Sequence, residues 1–194
     1  MRNGSASLLQ VVGSRRMAVA VLTAITGLYY LLVAITNCTD TDTNRRGVSE
    51  VLSMRATLHN PGIDWRAIGS GNVALVAYVL IVVWEFAIAI VLLVAAAAWV
   101  RELTGRPRRM PDRPGVAARL SSLGWVMVVV LFVGGFLTIG GEWFRMWANE
   151  EVNASSAALQ NFLIAAVGLV LVHLPERASA EPRTVGPAQE PASS

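Results

Sequence analysis

The chain has no lysine: all sixteen of its basic residues are arginine. It carries one cysteine, Cys38, so an intrachain disulfide is excluded. It also lacks a glycine-rich phosphate loop, zinc-ligand spacing and any histidine pattern near Cys38 that would activate a thiol. With those motifs missing, an enzyme is not expected, and neither is a metal or a cofactor. Charge is scarce as well, at 15% of residues against 54% hydrophobic. A soluble domain needs more polar surface than that. The arginines are too thinly spread for a nucleic-acid patch. Their exclusive use in place of lysine suggests a GC-rich, bacterial genome.

What the chain has in abundance is apolar length. Val73 to Val100 is unbroken except for Glu85. As a helix it would span roughly 42 Å, more than the ~30 Å of bilayer hydrocarbon. Three further runs, Met17 to Thr36, Leu120 to Ile139 and Ser156 to Leu174, have spanning length. The first is too long for a signal peptide and lacks a small-residue cleavage site, so it reads as a retained helix. The expectation is an all-α membrane protein, a four-helix transmembrane bundle with spans at 17–36, 73–100, 120–139 and 156–174. Residues 1–16 form a cytoplasmic segment, 17–175 the membrane domain, and 176–194 a disordered cytoplasmic tail. In the first outer loop Val48, Val51, Leu52 and Met54 share a face, which predicts a short interfacial helix. The third span is expected to continue as helix through Gly140 to Trp147.

Arginine placement orients the bundle. With the N-terminus inside, eleven arginines fall on inner segments and five on outer loops, which puts both termini in the cytoplasm. Trp65, Trp143 and Trp147 then mark the outer interface and Trp99 the inner one. His59 falls outside and His173 near the inner end, too far apart to share a metal.

An acid in mid-membrane costs roughly 3 kcal/mol, so Glu85 must be neutral, paired or turned toward a polar interior. Counted from the inner ends, Glu85, Tyr30, Gly135, Gln160 and Asn161 all lie about 20 to 22 Å up. Thr23, Thr26 and Tyr30 share a face continued by Asn37; Tyr78 and Glu85 share another; Gly135, Thr138, Glu142 and Arg145 share a third. The expected intramembrane polar layer is therefore Glu85, Tyr30, Thr26, Tyr78, Thr138, Gln160 and Asn161. Such a layer either holds helices together or forms a protonatable centre. Gly134 and Gly135 are expected to let helices approach closely. Glu142, Trp143, Arg145, Trp147 and Trp65 make an outer cluster, in which Glu142 and Arg145 would form a weak ion pair. Glu142 lies some 10 Å above Glu85, which argues against a two-carboxylate catalytic pair.

The segments Val51 to Met54, Trp65 to Ile68, Trp84-Glu85, Gly140 to Trp147 and Leu174-Pro175-Glu176 resemble those of a bacterial family of predicted small integral membrane proteins, domain of unknown function 2165. The resemblance spans roughly Met17 to Glu176. It implies four helices and supplies no activity. Relatives carry a histidine before the Val51 segment where this chain has Glu50, so no role for that histidine transfers. The functional expectation is a small inner-membrane protein that acts by association, with the bilayer and either a protein partner or further copies of itself as its contacts. A transporter or proton-linked binding protein centred on Glu85 is the alternative.

Overall fold

The structure is a computed structural model that describes residues 13–57, 59–105 and 115–175. The expected disordered tail and most of the N-terminal segment lie outside the described residues, as does the middle of the Arg- and Pro-rich connection. The described residues contain no strand. Four helices are long and apolar enough to cross a membrane: α1 (Arg15–Thr39), α3 (Gly71–Thr104), α4 (Val116–Trp143) and α5 (Ser155–His173), with a shorter α2 (Thr41–Ser53) after α1.

Each long helix exposes large aliphatic residues, and α1 and α5 bury mainly small and polar ones. On α1 the inward set is Val19, Thr23, Thr26, Gly27, Tyr30 and Ala34, while Val21, Ile25, Leu28, Leu32 and Ile35 face outward. That is the reverse of a soluble helix. Lipid solvates aliphatic groups as well as a protein core does, so close contact between small residues, not apolar burial, selects the inner face. On α3 the inward residues Tyr78, Glu85, Leu92 and Trp99 recur every seven positions, a seam of 3.5-residue period. Helix α1 packs on α3, α3 on α4, α4 on α5, and α5 closes back on α1.

Side chains from neighbouring helices occupy the ends. Ser14 caps α1 by accepting from the Met17 amide at 3.2 Å. The Arg15 guanidinium donates to the Leu171 carbonyl at 3.1 Å and to the Leu174 carbonyl, both at the end of α5. Cations are favoured at that pole of a helix, and the contact places the start of α1 beside the end of α5. At the same end Glu102 of α3 accepts from the Ala117 amide of α4 at 3.2 Å.

Two regions depart from the sequence reading. The helix expected at Val48–Met54 begins at Thr41, one residue after α1 ends, and stops at Met54, whose φ of 53° is left-handed. Its first turns are polar and carry no apolar period to announce them. In α4, Val130–Trp143 is wound as a π-helix. Such winding is rarely longer than one turn. The Thr138 hydroxyl marks it by donating five residues back, to Val133 at 2.7 Å, whereas Thr23 and Thr104 reach four back. The helix then ends at Trp143. Arg145 takes a left-handed φ of 55°, and the remainder of the expected helical extension is a short 3-10 turn, Met146–Ala148.

Close approach also falls elsewhere than at Gly134 and Gly135. A Cβ on Gly134 would meet nothing within 4 Å, and one on Gly135 only Leu131 of its own helix. The tight sites are Gly124, where a Cβ would lie 2.4 Å from the Leu92 side chain, and Gly168, where it would lie 2.4 Å from the Trp125 ring. Trp125 is fully buried and its ring is rigid, so it fits only because Gly168 has no side chain. Gly168→Ala is expected to destabilise the bundle by about 1 to 3 kcal/mol, as overpacking does. Gly134→Ala should cause no loss, and thermal unfolding in detergent followed by circular dichroism would separate the two.

Candidate functional site

Glu85 sits in the seam between α1 and α3, 4% exposed. Its Oε2 accepts from the Asn37 side-chain amide at 2.5 Å. Asn37 belongs to the last turn of α1, where backbone carbonyls have no partner within the helix. The Asn37 carbonyl is satisfied by Tyr78, whose hydroxyl donates to it. Tyr78 and Glu85, two turns apart on α3, thus grip one residue of α1, one by its backbone and one by its side chain. An amide donor serves a neutral acid or a carboxylate, so the arrangement holds Glu85 in either form.

The other expected members of the polar layer divide among separate contacts. The Tyr30 hydroxyl donates to Asn161 Oδ1 at 2.6 Å, and the Asn161 amide donates to the Ala157 carbonyl at 2.8 Å, tying α1 to α5. Thr26 is buried in the α1 face. Gln160 and Thr138 are exposed and face away from Glu85. Gln160 precedes Asn161 on a helix that turns about 100° per residue, so equal depth did not bring both inward. Thr138 follows the π winding, which rotates it off the face that a 3.6-residue period predicts. A third polar contact was not anticipated. Ser121 of α4 accepts from Trp99 Nε1 at 3.0 Å and lies 3.2 Å from the Thr23 hydroxyl, joining three helices at the Arg15 end. Thr23 and Trp99 were legible as an inward residue and an interfacial one, but nothing in their spacing links them to Ser121.

The opposite end carries the aromatic cluster, in two parts. Trp65 and Trp143 meet edge to face, with centroids 5.8 Å apart at 89°. Arg66 completes this part, its guanidinium carbon 4.4 Å from the Trp143 centroid and 5.8 Å from that of Trp65. Its Nη1 reaches the Trp143 carbonyl at 3.5 Å, while its Nε is buried without a hydrogen-bond partner among the described residues. Sequence reasoning missed Arg66, although a cation adjacent to an interfacial tryptophan was a usable signal. In the second part Arg145 lies over Trp147, 4.9 Å from its centroid. The expected Glu142–Arg145 ion pair does not form among the described residues, because the helix ends between them and the left-handed turn at Arg145 swings its side chain toward Trp147. Glu142 instead lines an open groove of ≈ 560 Å³ with Arg66, Thr138, Ile139, Trp143 and Phe144.

No group of three or more metal-ligating side chains occurs among the described residues. His59 lies 3.9 Å from Asp64, and His173 Nε2 is 2.9 Å from the Ser122 hydroxyl. Trp84, next to Glu85, faces the other way and donates from Nε1 to the Met127 carbonyl at 3.0 Å, just before the π-wound segment begins.

Residues 15–175 match the family described as "Predicted small integral membrane protein (DUF2165)", and the chain belongs to that family. Comparison with curated proteins and with solved structures returns no significant match.

The Asn37–Glu85 contact makes a measurable claim. Asn37→Leu leaves a buried acid without its donor and should cost about 1 to 3 kcal/mol in detergent unfolding. The double variant Asn37→Leu/Glu85→Leu should recover part of that loss, giving a non-additive cycle. Tyr30→Phe removes the bond to Asn161 and should cost less, about 0.6 to 2 kcal/mol.

Proposed function

We propose that this protein is a non-enzymatic accessory or assembly subunit of a larger complex in a bacterial inner membrane. Both ends of the membrane domain lie on the cytoplasmic side, as the eleven-to-five arginine asymmetry favours. One observation carries the reading: apart from the buried Trp125 Nε1, which has no hydrogen-bond partner among the described residues, the main inward polar groups are taken up in bonds between the protein's own helices, while the outer cap keeps unspent chemistry. Glu85 is held by Asn37, Tyr30 by Asn161 and Ser121 by Trp99. Around them Trp125, Leu92 and Ile88 fill the interior. Beside the Trp65–Arg66–Trp143 stack, by contrast, the groove presents a cation and an anion that are not paired with each other. A partner's loop at the outer interface would find aromatic surface and both signs of charge there.

The burial of an acid at mid-span favours a second reading, a transporter or proton-linked binding protein centred on Glu85. In that case substrate uptake into proteoliposomes, or a pH-dependent conformational signal, would be lost in Glu85→Gln.

Extraction in mild detergent at native expression, followed by native mass spectrometry, tests the first reading. A stoichiometric membrane partner is expected, and its recovery should fall at least several-fold in Arg66→Gln/Trp143→Ala. A chain recovered with no partner protein overturns the accessory role.

A further inference from the structure

Helix α5 has two faces of identical period. The inward one is Ala158, Asn161, Ala165, Gly168 and Val172, which pack against the rest of the bundle. The outward one follows the same pattern displaced by two residues, through Gln160, Leu163, Val167 and Val170, all exposed, and stops where the helix ends at His173. Their spacing of three and four residues is the a/d repeat of a helix–helix seam. Three members are aliphatic and would suit lipid. Gln160 would not.

Gln160 lies five residues into α5, roughly 7 Å from its outer end, on a helix whose 19 residues span only about the hydrocarbon thickness. Its side-chain amide has two donors and an acceptor, and no partner for them occurs among the described residues. In acyl chains such a group is costly, and polar side chains there are satisfied across helices. Its neighbour Asn161 shows the solved version of the problem, bonded to Tyr30.

We propose that the outward face of α5 is a self-association seam, on which two copies of this chain pair side by side and exchange amide hydrogen bonds between their Gln160 residues. The inference deepens the association reading above by naming a surface and an occupant. A second copy answers three requirements together. It inserts in the same direction, so its Gln160 lies at the same depth. An amide is its own complement, so a twofold axis satisfies donor and acceptor reciprocally. The aliphatic a/d residues below it then meet their own kind in register, and a single polar residue at such a position is what sets register in helix pairs.

Cysteine crosslinking in native membranes tests this, in a Cys38→Ala background that removes the chain's one thiol. Leu163→Cys and Val167→Cys should form a disulfide-linked dimer under copper–phenanthroline, while Val21→Cys on α1 and Leu80→Cys on α3, equally exposed, should not. In quantitative dimerisation measurements Gln160→Leu, which removes both bonds of the reciprocal pair, should weaken self-association about 10- to 1,000-fold, the range that two interhelical hydrogen bonds contribute. Gln160→Asn should restore most of it. Equal crosslinking at all four positions, none on α5, or seam cysteines trapped on a different protein would each overturn the proposal. A stoichiometric partner recovered without α5 crosslinks would sink the seam and leave the accessory role standing; α5 crosslinks with no other partner would do the reverse.

Discussion

The absence of water at the bilayer midplane governs this protein. Backbone amides and carbonyls, and polar side chains, are costly there unless they find a partner within the protein or across an interface. Helices meet that demand along their length but leave it open at their ends and wherever the winding changes. Here the open groups are met by side chains from the adjacent helix. Tyr78 serves the Asn37 carbonyl, Arg15 the last carbonyls of α5 and Glu102 the Ala117 amide of α4, while Trp84 adds a second donor to the Met127 carbonyl, which already accepts from the Val130 amide. Each contact fixes one helix vertically against its neighbour. The caps therefore supply the register that the apolar faces cannot, since aliphatic contact with lipid is nearly as favourable at one height as at another.

Lateral packing follows from the same solvent. Without a hydrophobic drive between helices, contact depends on how closely surfaces fit. Two of the fully buried large residues are each matched to a glycine on the next helix. Leu92 of α3 lies against Gly124 of α4, and Trp125 of α4 lies against Gly168 of α5. Those fits run in chain order and build the bundle one helix at a time. The buried acid takes its place within them: Glu85 shares the seven-residue seam of Tyr78, Leu92 and Trp99, so the geometry that packs α3 also turns the carboxyl toward Asn37.

The residues that carry the family resemblance meet at these contact points. Trp84 and Glu85 face opposite ways from one turn of α3, one to α4 and the other to α1. Trp65 and Arg66 from the loop between α2 and α3 close over Trp143, the last residue of α4. Motifs that sit far apart in the chain thus mark two sites, a clamp within the membrane and a cap above it.

The amino-acid sequence by itself determined the class, the number of crossings and the inward faces of α1 and α3, because these depend on run length and on periods that one helix carries alone. Tyr30, Tyr78, Glu85 and Asn161 were legible as inward polar residues for that reason. Which of them bond to which was not, since equal depth places residues in a layer without saying how each helix is rotated. Gln160 and Asn161 share a depth, yet one is exposed and the other buried. The end of the bundle at Trp143 was the least legible part. The π winding of Val130–Trp143 cancels the 3.6-residue period from which the faces of Thr138 and Glu142 would be read, and the left-handed turn at Arg145 replaces an ion pair with a stack on Trp147. Those outcomes belong to the tertiary structure, because winding and rotation are settled by how neighbouring helices fit, and a chain read one segment at a time has no neighbours.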